Sequence, residues 1–291
     1  MTQDLTTISS PDLSVTLSPL GAEMQAITLA DGRELLWHGD PAHWSGRAPV
    51  LFPIVGRAPD DILSSGGVEA PMKQHGFARR STFELEEATA SLARFVLTDS
   101  DESRGVYPFL FRLTLTYRVE GAQLSVLAEV ENRDSHDMPF GLGFHPAFAW
   151  PLPGAEGEDH HILLRDDAEP ALARLTDGYL TDDRLPSPFD KGLLTVTPDL
   201  FEADAMIFPE GSGSELLYAA QGGDAPALRF RFENTPNLGI WTKPGAPFLC
   251  IEPWHGMAAR QGAGPEITER PNTVRLSPGA TQRFGYEVNV E

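Results

Sequence analysis

Glu252 stands in the apolar run Phe248-Leu249-Cys250-Ile251-Glu252-Pro253-Trp254. Removal from water disfavours a carboxylate and raises its pKa toward the range of a working general base. A buried carboxylate without a partner is costly, so its presence in such a run calls for a chemical reason. Three more segments set a titratable or polar side chain among apolar, Gly and Pro residues: RAPVLFPIVGR from Arg47 to Arg57, QHGFAR from Gln74 to Arg79, and GFHPAF from Gly143 to Phe148. Each could line one cleft, and that mixture is what a sugar pocket requires. Taken singly they have ordinary explanations, since a His beside aromatics usually serves structure and a Glu before Pro can cap a turn. Phe144, Phe148, Trp241 and Trp254 either offer an apolar face to a pyranose or fill the core.

Other chemistries lose their support. No G-x-S-x-G elbow occurs, and Gly211-Ser212-Gly213-Ser214 has serine and glycine in the wrong register for one. Neither Gly141-Leu142-Gly143 nor Gly211-Ser212-Gly213 gains the third glycine of a dinucleotide fingerprint, and no phosphate-binding G-x-x-x-x-G-K-[ST] loop is present. The eight histidines include no H-x-H or H-E-x-x-H pair. Asp159-His160-His161 is locally suggestive of a metal, but adjacent histidines usually point apart. No metal and no cofactor is expected.

The 22 Lys plus Arg against 42 Asp plus Glu give a net charge of −20, which repels phosphate backbones and anionic lipid. Nucleic acid and membrane partners are excluded on that ground. Cys250 is the lone cysteine, so no intrachain disulfide can form. MTQDLTTISSPDL has neither a basic nor an apolar leader region, and no run approaches the ~18 apolar residues of a spanning helix. A cytoplasmic protein is expected.

The elements that must carry these residues read as strands. Phe109, Phe111, Leu113, Leu115, Tyr117 and Val119 alternate with Arg112, Thr114, Thr116 and Arg118, the period of two of a half-buried strand. After a turn at Glu120-Gly121 the alternation resumes with Leu124, Val126, Ala128 and Val130, which predicts a hairpin. It returns at Leu228, Phe230 and Phe232 and at Phe284, Tyr286, Val288 and Val290. Shorter strands are predicted at Leu13–Leu17, around a turn at Asp31-Gly32, and at Phe83–Leu85 with Arg94–Leu97. No long helical stripe is present, and 27 Gly with 25 Pro suit an all-β, large antiparallel β-sandwich. Pro151 to Pro188, rich in Pro, Gly and Asp, reads as long loops over one mouth, and residues 1–291 read as one domain.

Together the LFPIVGR and QHGFAR segments, the YPF at Tyr107, MPFGLGFHPAF from Met138, the Asp204 region, GIWTKPGAPFLCIEPW from Gly239 and the LSPG at Leu276 resemble the aldose 1-epimerase family. Within it the chain looks like the LacX proteins and is similar to hexose-6-phosphate 1-epimerases. The resemblance implies the galactose mutarotase-like β-sandwich and cofactor-independent interconversion of sugar anomers. It implies Glu252 as general base, His145 as general acid and His75 as a second histidine that polarises the substrate. Arg57 would bond sugar hydroxyls, and Asp204, in a looser match, would bind substrate. Trp241 and Trp254 would pack on the sugar. Arg79 with Arg57, Lys73 and Arg80 could hold a phosphate dianion, or simply pair with acidic neighbours. The partner is therefore a small sugar or sugar phosphate, a homodimer is an allowed assembly, and a non-catalytic carbohydrate-binding protein is the rival from another class.

Overall fold

The computed structural model describes residues 4–291. It is built almost wholly of antiparallel strands, with one α-helical turn at Asp101–Arg104 and a few short 3-10 turns. Among the described residues no helix is long and apolar enough to cross a membrane.

The predicted alternation forms the centre of a nine-stranded sheet. Strand Phe111–Glu120 pairs with Gln123–Asn132, which pairs with Thr281–Val290 on its other edge. The registers set Val126 opposite both Tyr117 and Tyr286, so the apolar residues of three strands share one face. Leu113, Leu115, Tyr117, Val119, Leu124, Val126, Ala128, Val130, Phe284, Tyr286 and Val288 are all buried. Strand Leu228–Glu233 extends the sheet on one side, and the hairpin Glu84–Ala88 with Leu92–Thr98 closes the other. The Leu13–Leu17 strand and the Asp31-Gly32 turn lie where expected, in a separate three-stranded sheet and at its exit.

Pro151 to Pro188 departs from the expected loop. His160–Leu164 is a strand of the nine-stranded sheet, between Leu193–Val196 and Glu215–Ala220, and Leu175–Thr176 pairs with Tyr179–Leu180. The five-residue HHILL strand is flanked by Asp and Gly, and only its long-range pairing reveals it. His160 is buried there, with Nε2 accepting from the Leu152 N–H at 2.9 Å and Nδ1 3.0 Å from the Glu158 carbonyl. Both ring nitrogens are thus used by the backbone, while His161 lies on the more exposed side of the strand.

A six-stranded sheet covers the apolar face of the large one. Its middle strand, Phe248–His255, pairs with Asn237–Trp241 on one edge and with Leu142–Phe144 and Ala147–Ala149 on the other. Phe144 meets Tyr286 and Phe148 meets Phe230, each with ring centroids 5.1 Å apart. Edge-on aromatic pairs of this kind add to the area they bury. These contacts join the two sheets and make Phe144 and Phe148 core residues, not cleft residues.

Candidate active site

Period two sends Cys250, Glu252 and Trp254 to the same face of the strand Phe248–His255. The strand is buried along nearly its whole length, so Glu252, 2% exposed, is held in a dry layer. Gly239 lies opposite Glu252 and Gly143 opposite Trp254. A Cβ at either glycine would drive into the Trp254 indole. The two bare backbones are what let that indole lie across its neighbouring strands.

Just beyond Leu142–Phe144, His145 turns back toward the same layer, its N–H donating to the Pro49 carbonyl at 3.2 Å. Its Nε2 lies 3.2 Å from Glu252 Oε2, and His145 is 7% exposed. Burial, and next the Arg79 guanidinium, push the His145 pKa down to about 3. Burial, and next the Asp204 charge, hold the Glu252 carboxyl well above its usual range, against the opposing pull of Arg79 and Trp254. The Trp254 Nε1–H, though near the carboxyl, completes no hydrogen bond with it. Both directions have one physical meaning: the site disfavours net charge. Between its limits the pair is neutral overall, either as carboxylic acid with neutral imidazole or as carboxylate with imidazolium, one proton lying between Oε2 and Nε2.

His75 sits in a turn at φ +66°. Its backbone N–H donates to the Gly56 carbonyl at 2.9 Å, and the Gly56 N–H donates to His75 Nδ1 at 3.1 Å. A peptide N–H can only donate, so Nδ1 is an acceptor and the proton of the neutral ring sits on Nε2. Burial, and next the His145 ring, hold His75 well below the usual imidazole range and keep it neutral.

A cleft of about 330 Å³ gathers these groups, with Trp44, Arg79, Asp204, Trp241 and Trp254 in its wall. Asp204 is held at φ +65° by Arg174, which donates to the Asp204 carbonyl at 2.7 Å and to the Leu200 carbonyl at 2.8 Å. Arg57, expected to bond sugar hydroxyls, stands at the edge of the cleft, its side chain beside Gly178 of the lining. Its guanidinium is ion-paired to Asp61 at 3.0 Å and half exposed, outside the cleft lining. Both partners are exposed, and ion pairs of this kind hold a side chain only weakly. Lys73 and Arg80 face a separate cavity of about 780 Å³ on the other side of the Lys73–Arg80 segment. That cavity contains no buried acid and base pair.

Gln74, which opens the QHGFAR segment, and Trp44, which belongs to none of the motifs, also line the cleft. Trp44 lies in a stretch with no alternation, and its only sequence signal is its position three residues before Arg47. Donor atoms of His145, Cys250 and Glu252 lie within 4.8 Å of one another, a spacing that could hold a metal. Cys250 is fully buried and lies outside the cleft lining, and burial pushes its thiol pKa far up, which keeps it protonated and a poor ligand.

A family model described as aldose 1-epimerase matches residues 4–182. The chain belongs to the aldose 1-epimerase family. Two curated relatives, the plasmid and chromosomal LacX proteins of Lactococcus lactis subsp. lactis, are each 30% identical to it over 292 aligned residues, covering 96% of both chains. Its fold matches a galactose mutarotase related enzyme of Lactobacillus acidophilus with a TM-score of 0.92 and 31% identity, over 99% of this chain and 97% of the other. It also matches a galactose mutarotase-like protein of Lactobacillus casei with a TM-score of 0.91 and 29% identity, over 99% and 100%. This aldose 1-epimerase family member is thus a sugar epimerase, an isomerase, on a galactose mutarotase-like β-sandwich.

Proposed function

We propose that this epimerase interconverts the α and β anomers of an unphosphorylated hexose by acid–base opening and reclosure of the pyranose ring. The observation that carries the reading is the buried His145–Glu252 pair, 3.2 Å apart at the floor of a cleft. Glu252 as carboxylate takes the proton of the anomeric hydroxyl while His145 as imidazolium protonates the ring oxygen. The C1–O5 bond breaks, the aldehyde turns about C1–C2, and reclosure on its other face returns both protons with the roles exchanged.

Ring opening takes the pair from one of its neutral forms to the other, carboxylate with imidazolium to carboxylic acid with imidazole. Net charge in the dry layer stays constant, so the desolvation that disfavours an isolated ion does not oppose the step. Neutral His75 offers an Nε2–H to a sugar oxygen. Asp204 and Arg79 offer an acceptor and a donor set to its hydroxyls. Trp241 and Trp254 supply apolar faces of the kind pyranose C–H groups pack on.

Charge favours a free sugar. A phosphate dianion wants two or more converging cations or charge-assisted donors, and in this cleft Arg79 shares the lining with Asp204 and the neutral pair. Arg57 is paired with Asp61, and Lys73 and Arg80 line the other cavity. A purely binding role would have no use for a coupled acid and base.

Polarimetry on freshly dissolved α-glucose, α-galactose and their 6-phosphates tests the reading. Faster decay of rotation with a free hexose, and little with the phosphates, is the expected result. Sugar binding with no acceleration for any of them would overturn the catalytic reading, and a clear preference for a 6-phosphate would overturn the substrate.

A further inference from the structure

Arg270 is 6% exposed, between the 3-10 turn Ile267–Glu269 and the strand Val274–Leu276. No carboxylate pairs with it among the described residues. Its guanidinium spends its donors on three backbone carbonyls: Nη2 on Val55 at 2.6 Å and on Met257 at 3.2 Å, and Nη1 on Arg57 at 3.1 Å. A buried cation is tolerated only when its N–H groups are used. A rigid planar fork is the shape that spans two carbonyls flanking a single residue, and that residue is Gly56.

Gly56 is the residue bonded twice to His75, through its carbonyl and through the N–H that donates to Nδ1. A continuous path therefore runs from Arg270 through the Val55 and Arg57 carbonyls to the Gly56 peptide and on to the His75 ring. We infer that Arg270 is a positioning residue for His75: by clamping the chain on both sides of Gly56 it keeps the Gly56 N–H on Nδ1 and so presents His75 to the cleft as an Nε2–H donor. The catalytic consequence rests on the proposed anomer interconversion, while the tautomer consequence does not.

The test is Arg270→Lys in the full chain, read by ¹⁵N NMR of the histidine rings and by steady-state kinetics. A lysine keeps the charge but has one nitrogen and cannot reproduce the fork. With near-UV circular dichroism unchanged, the His75 signals should pass from a single Nε2–H form to a mixture of tautomers. The kcat should fall about tenfold, the scale expected when a substrate-contacting group is slightly misplaced. In a His75→Asn background the same change should cause no further fall.

Wild-type His75 signals in Arg270→Lys, or an equal fall with and without His75, would overturn the assignment. Should Arg270→Lys not fold, Thr273→Val gives a milder displacement, because the Thr273 hydroxyl holds the Arg270 carbonyl at 3.0 Å. A smaller tautomer shift in the same direction supports the clamp, and none contradicts it. A wild type that turns over no sugar, yet loses the single His75 tautomer in Arg270→Lys, would refute the reaction and leave the clamp standing.

Discussion

The Trp44 indole covers the His145 imidazole, with ring centroids 4.9 Å apart and planes inclined by 30°. His75 and Trp241 meet the same imidazole edge-on, each at 5.7 Å. His145 Nδ1 is buried with no hydrogen-bond partner. Catalytic imidazoles are commonly oriented by a hydrogen bond at the nitrogen away from the reaction; on the proposed mechanism the three rings packed on His145 would share in holding it.

Trp44→Ala should therefore lower kcat by about tenfold or more through loss of His145 alignment, while Trp44→Phe, which keeps a ring face, should retain most of it. Equal losses for the two variants would show that the stacking does not orient the histidine.

The pH–rate profile should be bell-shaped, with limbs that belong to the pair. Burial has pushed His145 down to about 3, so uptake of a second proton belongs to strongly acid solution. Glu252 has been pushed up, so loss of the shared proton belongs well above the usual carboxylate range. Asp204 raises the Glu252 pKa and Arg79 lowers it, so Asp204→Asn should move the alkaline limb to lower pH and Arg79→Met should move it to higher pH. An alkaline limb that moves in the same direction in both variants would contradict the assignment.

Stability should carry the same signature. The Glu252 pKa is raised on folding, so its stabilising contribution is complete below the unfolded value of 4.5 and is lost as pH rises through the folded value. Glu252→Gln removes that loss. Its thermal midpoint relative to the wild type should therefore climb as pH is raised above 4.5. A gap between the two that is independent of pH would place the carboxyl in water.

Gly239→Ala tests the Trp254 cradle. The added methyl meets the indole, and overpacking of this kind costs about 1–3 kcal/mol. We expect a comparable loss of stability and quenching or shifting of Trp254 fluorescence. A variant with unchanged stability and emission would mean the indole has room to spare.

The long hairpin and the C-terminal strand were legible because ten-residue strands repeat a period of two often enough to exclude other readings. The strand holding Glu252 is buried on both faces and does not alternate; it stood out through one carboxyl in an apolar run. His145, His75, Arg79 and Asp204 were found through motifs taken together, and the fold brings them to one cleft. Arg57 is ion-paired to Asp61 outside the cleft lining, a competition for its guanidinium that motif reading does not weigh. Arg270 was invisible because its bond to the Arg57 carbonyl spans 213 residues, and no local pattern encodes a contact at that range.

The most direct test of the central claim is polarimetric turnover of a fresh α-hexose by Glu252→Gln beside the wild type. Glutamine keeps the shape and removes the proton acceptor. With the fold intact by circular dichroism, the rate should fall by about 10²- to 10⁴-fold; a folded Glu252→Gln protein that restores anomeric equilibrium as fast as the wild type would contradict the account.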